Sequence, residues 1–166
     1  MKILGIIGGM SPESTATYYT EINHLVNQKK GGNISAPIVM VSVEFEEIVQ
    51  CQKQSEWQRA GEILAEAGKK LEMIGAEGIV LATNTMHKVA PQIERALSIP
   101  FLHILDATAD AIKSRGLNKV ALLGTKFTMS DNFYRDGLIV RGITPIVPNE
   151  DTQNEIHRII FDELCG

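Results

Sequence analysis

Four short stretches carry residue types suited to holding a small anion: Gly8-Gly9-Met10-Ser11, Glu44, Thr83-Asn84-Thr85, and Gly124 to Thr128. Each follows an apolar, β-branched run, and open parallel sheets bind ligands just beyond the carboxyl ends of their strands. Small and hydroxyl-bearing residues there leave backbone N–H groups at helix N-termini open to a carboxylate or a phosphate. An amino-acid carboxylate fits this chemistry. A dinucleotide is the alternative, with Glu44 where a ribose-binding acid would fall. Against it, Gly5-x-x-Gly8-Gly9 is not G-x-G-x-x-G, and no Walker lysine follows.

Proton transfer needs a titratable group, and His87, four residues after Thr83, is the nearest one whose ordinary pKa suits general-base work. The commoner reading of such a residue is a structural one at a helix start. Thr83, Asn84 and Thr85 likewise suit either the first turn of their own helix or a substrate carboxylate and ammonium. The other histidines, His24, His103 and His157, are scattered, and no two of the four stand at the i, i+4 spacing of a helical zinc site. Cys51 and Cys165 form no CxxC pair and no disulfide framework. The sequence therefore calls for no metal.

The elements that must position these residues belong to an ordinary folded chain. Of its 166 residues, 44% are hydrophobic and 22% charged, far from the disordered corner of composition. The net charge of -4 has the wrong sign for a surface that neutralises phosphates, so nucleic acid is not an expected partner. No run approaches the roughly 20 apolar residues of a membrane span, and Ile3 to Ile7 is too short for a signal-peptide core. A cytoplasmic setting is the expectation.

Ile3 to Ile7 predicts a strand, Gly8-Gly9 a tight turn, and Ser11-Pro12-Glu13 a capped helix start, with the helix ending at Gly31-Gly32. Pro37 to Val43 predicts a second strand, followed by a loop. A helix from about Ser55 places Trp57, Ala60, Leu64, Ala67, Leu71 and Ile74 on one buried stripe. A third strand, 78–82, leads into a helix from about His87 to Leu97, and Ser98-Ile99-Pro100 punctuates the chain. Beyond it the reading is strand 101–104, a helix capped near Asp106, strand 119–123, a helix from about Ser130, strand 143–147 and a helix from about Thr152. Strands alternating with helices argue for parallel sheets covered by helices. The chain accordingly divides into an α/β domain at 1–98 and a second, similar one at 99–166.

The opening Gly5-Ile-Ile-Gly-Gly-Met-Ser11 is echoed by Ala121-Leu-Leu-Gly-Thr-Lys-Phe-Thr-Met-Ser130. An internal duplication accounts for this, as does chance likeness between two common strand-to-helix openings. On the duplication reading, the second half stops before the counterpart of strand 78–82, so a further C-terminal segment is expected.

The run Gly5-Ile-Ile-Gly-Gly-Met-Ser-Pro-Glu-Ser-Thr15 with Tyr18-Tyr19 and Ile22-Asn23, then Ala82-Thr83-Asn84-Thr85-Met86-His87 and Leu123-Gly124-Thr125, resembles the aspartate/glutamate racemase family. The likeness covers essentially the whole chain. It implies a cofactor-independent racemase of two similar α/β domains, with the active site in the cleft between them and a homodimer as the working form. In that family two cysteines face each other across the substrate α-carbon, one opening a CNT motif and the other in a late GCTE motif. One takes the α-proton as thiolate, and the other returns a proton to the opposite face.

Two departures stand out. Thr83 occupies the first cysteine position, and no GCTE motif occurs. Thr83 places the chain nearest the aspartate/glutamate-specific branch that pairs threonine with cysteine, and the resemblance makes Thr83 the catalytic residue. It implies substrate contacts at Met10, Gln52, Thr83, Asn84, Thr85 and Thr125. Met10 also reads as a residue packing its turn. Aspartate-specific members tend to carry a lysine where this chain has Glu155, which would set a like charge against an acidic substrate. The expected ligand is an amino acid or dicarboxylate. The alternative is an inactive paralogue that binds such a ligand without turning it over.

Overall fold

Leu4–Gly8 forms β1, the strand at which the first sheet is organised, and its residues are buried from Gly5 onward. The computed structural model describes residues 1–164. In it β2 (Ile38–Ser42) and β3 (Gly78–Leu81) flank β1, and β4 (Phe101–Leu102) lies outside β3, giving the order β2-β1-β3-β4. All pairs are parallel, with Leu4 opposite Ile38 on one side and Gly78 on the other, and Ile79 opposite Phe101. Each parallel step needs a crossover, and helices supply it. They are α1 (Pro12–Lys30), α2 (Phe45–Lys53) with α3 (Trp57–Met73), and a 3-10 turn (Thr85–Val89) leading into α4 (Ala90–Ala96).

The periodic stripe of α3 lands in the core: Ala60, Leu64, Ala67 and Leu71 are buried against Ile7, Ile48, Ile79, Leu81 and Ile93. Ile74, the last residue of the predicted stripe, is instead 58% exposed, because the helix ends at Met73.

Two expectations for this half need correction. The segment after β2 is a helix rather than a loop: the Glu44 carboxylate accepts from the backbone N–H of Glu46 and Glu47 at 3.0 and 2.6 Å, capping α2. Only Ile48 and Cys51 of α2 are buried, too few to show a period. The predicted helix 87–97 is broken in two, since Pro91 has no N–H to continue the preceding turn and sits instead in the first turn of α4. The compact units are Met1–His103 and a second beginning at Ile104, because Phe101–Leu102 completes the first sheet by pairing with β3.

The second unit holds α5 (Ile104–Ser114), β5 (Lys119–Ala121), α6 (Lys126–Ser130), α7 (Asn132–Val140), β6 (Thr144–Ile146), α8 (Glu150–Ile159) and a π turn, Ile160–Leu164. β5 and β6 pair in parallel, Lys119 to Thr144 through Ala121 to Ile146. Its core is Leu105, Ala109, Leu122, Tyr134, Leu138 and Ile143. The helix predicted from about Ser130 is α7, whose start Asp131 caps by accepting from the Phe133 N–H at 2.9 Å; the short α6 ahead of it stands where a glycine turn was expected. Cys165 lies outside the described residues. Among the described residues no helix is long and apolar enough to cross a membrane.

Candidate active site

In the first unit the polar turns converge on the carboxyl edge of the sheet. The β1 turn is held from two sides: the Val43 N–H donates to the Gly8 carbonyl at 3.0 Å, and the Gly9 N–H donates to Thr15 Oγ1 at 2.8 Å. Thr15 Oγ1 passes its own proton to the Ser11 carbonyl at 2.9 Å, so a hydroxyl only 5% exposed closes the loop between strand and helix. Gly8 must lack a side chain here, since a Cβ would come within 2.4 Å of Thr15 Cγ2. Thr15→Val keeps the shape but leaves the buried Gly9 N–H without an acceptor, and is expected to cost about 2 kcal/mol in a urea unfolding curve. Ser11 caps α1 by accepting from the Ser14 N–H at 3.4 Å.

The β3 turn stands beside it, joined by a hydrogen bond from Ser14 Oγ to the Ala82 carbonyl at 3.0 Å. Thr83 and Thr85 are half-buried and Asn84 is exposed. Gln52 reaches in from α2, its Nε2 donating to Met86 Sδ at 3.0 Å. The fold thus brings Gln52, Thr83, Asn84 and Thr85 to one edge of the first unit. Met10 is at the same edge, but its side chain is 5% exposed and packed into the apolar core. Cys51, 1% exposed, belongs to that core as well. Glu44, spent on capping α2, is not poised for a ribose.

His87 resolves into its structural reading. It is 2% exposed, and Nδ1 donates to the Thr83 carbonyl at 2.8 Å. A carbonyl can only accept, so this contact places the ring proton on Nδ1. Burial, and then the neighbouring His103, pushes its pKa down from 6.5 to about 4. Above pH 6.5 the imidazole is neutral in folded and unfolded chains alike. Between 6.5 and 4 the unfolded chain takes up a proton that the folded chain refuses, so stability falls with pH across that window. The expected loss is about 3 kcal/mol at about 1.4 kcal/mol per pH unit. His87→Phe should lack this component when urea midpoints of the two proteins are compared from pH 7 to pH 4.

The second unit carries Thr125 at the corresponding place, after β5. Its Oγ1 accepts from the Thr128 N–H at 3.4 Å to cap α6, the same construction as Ser11 on α1. Beside it a cavity of about 390 Å³ is lined by Lys126, Phe127, Ser130, Asp131 and His157. His157 Nδ1 accepts from the Lys126 N–H at 3.2 Å, and Lys126 Nζ donates to Asn154 at 2.7 Å. Glu155 is not a bare negative charge: Arg158 grips it at 2.8 and 3.2 Å and holds its carboxyl below the usual range. Sequence reasoning missed the Glu44 cap and the ties that Ser14 and His87 make to the β3 turn. The S/T-like spacing of an acid before two further acids was a usable signal for the first; no local signal reports the others.

A parallel α/β sheet flanked by helices, with glycine- and hydroxyl-rich turns at its carboxyl edge, defines a protein of the open α/β class. Comparison with known proteins narrows this. The chain belongs to the Asp/Glu/hydantoin racemase family, whose model matches residues 7–164. It is 25% identical over 160 residues to the broad specificity amino-acid racemase RacX of Bacillus subtilis (strain 168), an alignment that covers 95% of this chain and 69% of that protein. A crystal structure from Yersinia pestis, of a candidate Asp/Glu racemase, superposes with a TM-score of 0.96 at 51% identity, covering 99% of this chain and 72% of the other. An aspartate racemase homologue from Pyrococcus horikoshii OT3 gives 0.87 at 40% identity, again over 99% and 72%.

Proposed function

We propose that the protein is a pyridoxal-phosphate-independent amino-acid racemase of the aspartate/glutamate type in which Thr83 handles the α-proton on one face of the substrate. The observation that carries this reading is the Thr83-Asn84-Thr85 turn standing at the carboxyl edge of the sheet, bonded through Ser14 and Ala82 to the glycine turn of β1. Family membership supports the reaction class.

Racemisation breaks the Cα–H bond and leaves its electron pair delocalised into the substrate carboxylate. A proton returned to the opposite face reforms the bond with inverted configuration, so two groups are required. Thr83 is the group for one face: its Oγ takes the α-proton as its own hydroxyl proton passes to solvent water, because a hydroxyl is too weak an acid to be held as the alkoxide. Asn84, Thr85 and Gln52 hold the carboxylate and ammonium, with Met10 contributing its main chain. The homodimer implied by the family likeness belongs to the same proposal.

The test is α-proton exchange. The 166-residue protein is incubated in D₂O without pyridoxal phosphate, with L- and D-aspartate, glutamate and neutral amino acids, and the α-proton signal is followed by NMR. Exchange with inversion is the expected result. Failure of every amino acid to exchange, at concentrations that measurably raise the melting temperature, would sink the racemase reading.

That outcome would favour a second reading, a carboxylate-binding protein without turnover. One observation supports it: among the described residues the only cysteine, Cys51, is buried in the core rather than placed at the turns.

A further inference from the structure

Three consecutive carbonyls at the end of β3 are each held by a donor. Ser14 Oγ donates to Ala82 at 3.0 Å, His87 Nδ1 donates to Thr83 at 2.8 Å, and the His87 backbone N–H donates to Asn84 at 3.1 Å. A strand that has ended offers these acceptors no ladder partner, and water is their usual alternative. Here the donors are built into the fold. Ser14 comes from the first turn of α1, 68 positions away in sequence, and its own backbone N–H is fixed by the Ser11 cap. The His87 ring is 2% exposed and lies against Phe101 and His103, with ring centroids 5.8 and 4.8 Å distant. The ring cannot swing away without disturbing packed neighbours.

We propose that Ser14 and His87 are positioning residues for Thr83. By tying the carbonyl before it, its own and the one after, they fix the backbone from which its side chain projects, and so the place where its hydroxyl meets the substrate. The proposal rests on the reading of Thr83 as the proton-handling residue. It also gives a physical reason for the two motifs to occur together, since GGMSPEST supplies a donor that TNTMH requires.

A displacement of about 1 Å in a reacting group costs on the order of a hundredfold in rate. Ser14→Ala and His87→Phe are therefore expected to lower kcat for α-proton exchange by about tenfold to a hundredfold, with KM changed by less than about threefold. His87→Phe keeps the ring and loses the donor. His87→Asn does the reverse, carrying an amide nitrogen close to the Nδ1 position in a smaller side chain, so it should recover most of kcat while melting lower than His87→Phe. Exchange that follows melting temperature instead, with His87→Asn the slower of the two, would overturn the positioning role.

A substrate-free readout separates this proposal from the racemase reading. In ¹⁵N relaxation, the Thr83, Asn84 and Thr85 amides should be rigid in the parent protein, with order parameters of about 0.85. They should drop below about 0.6 in Ser14→Ala and His87→Phe and return in His87→Asn. That pattern supports positioning even where no amino acid exchanges. Amides that stay rigid in all three variants overturn it whatever the activity.

Discussion

Thr83→Ala is expected to slow α-proton exchange by about a hundredfold or more while leaving the fold intact. Thr83 is half-buried at the end of β3, its carbonyl taken by His87, and removal of its hydroxyl opens no large cavity. Melting temperature should stay within a few degrees of the parent, so loss of exchange reports chemistry rather than unfolding. General acid–base groups typically contribute about a hundredfold to ten-thousandfold. Thr83→Ser retains a hydroxyl at the same atom and should remain within about tenfold of the parent. Thr83→Cys brings a thiol of ordinary pKa about 8.5, and its exchange should rise with pH towards that value as thiolate accumulates. The measurement is deuterium incorporation at the substrate α-carbon, followed with time for each variant. A Thr83→Ala protein that exchanges as fast as the parent would remove Thr83 from the reaction.

Gly9→Ala is expected to be the most damaging single-methyl change in the first unit, at about 4 kcal/mol. Gly9 sits at φ +96, where L side chains are strained, and its Cβ would lie 2.4 Å from the Val43 carbonyl oxygen and 2.9 Å from the Val43 nitrogen. Those are backbone atoms of the neighbouring strand exit, which cannot rotate aside. Relief would have to stretch the Val43 to Gly8 hydrogen bond or the Gly9 to Thr15 one, both of which set the turn. Backbone strain contributes about 1 to 3 kcal/mol and overpacking a similar amount. Gly31 is the matched comparison: φ is +75 and nothing lies within 4 Å of its would-be Cβ. Gly31→Ala should therefore cost only about 1 kcal/mol. Urea midpoints for the two variants measure the difference, which isolates the collision at Gly9. Equal losses would show that the β1 turn gives way more easily than its contacts imply.

Much of the fold was legible because it rests on local or periodic signals. The stripe through Ala60, Leu64, Ala67 and Leu71 repeats over several turns, and the Ser11-Pro12 start carries its cap and its proline side by side. Where the reading slipped, the deciding interaction was short or distant. α2 buries too little to show a period, and its stop-and-start depends on a carboxylate reaching two N–H groups. Phe101–Leu102 pairs with β3, and two residues carry no signal of which sheet they will join.

The candidate site divides in the same way. Residue type and order in the sequence determined that this is a parallel α/β chain with hydroxyl-rich turns after its strands, and that Thr83, rather than a cysteine, opens the β3 turn. Only the tertiary structure decided what His87 does, that Met10 faces the core, and that Ser14 bonds to Ala82. Strand pattern and caps are written within a few residues, since they follow from spacing and backbone stereochemistry. The pKa of a histidine and the partner of a carbonyl depend on burial and on groups brought together from positions as far apart as 14 and 82, which exist only once the chain has folded.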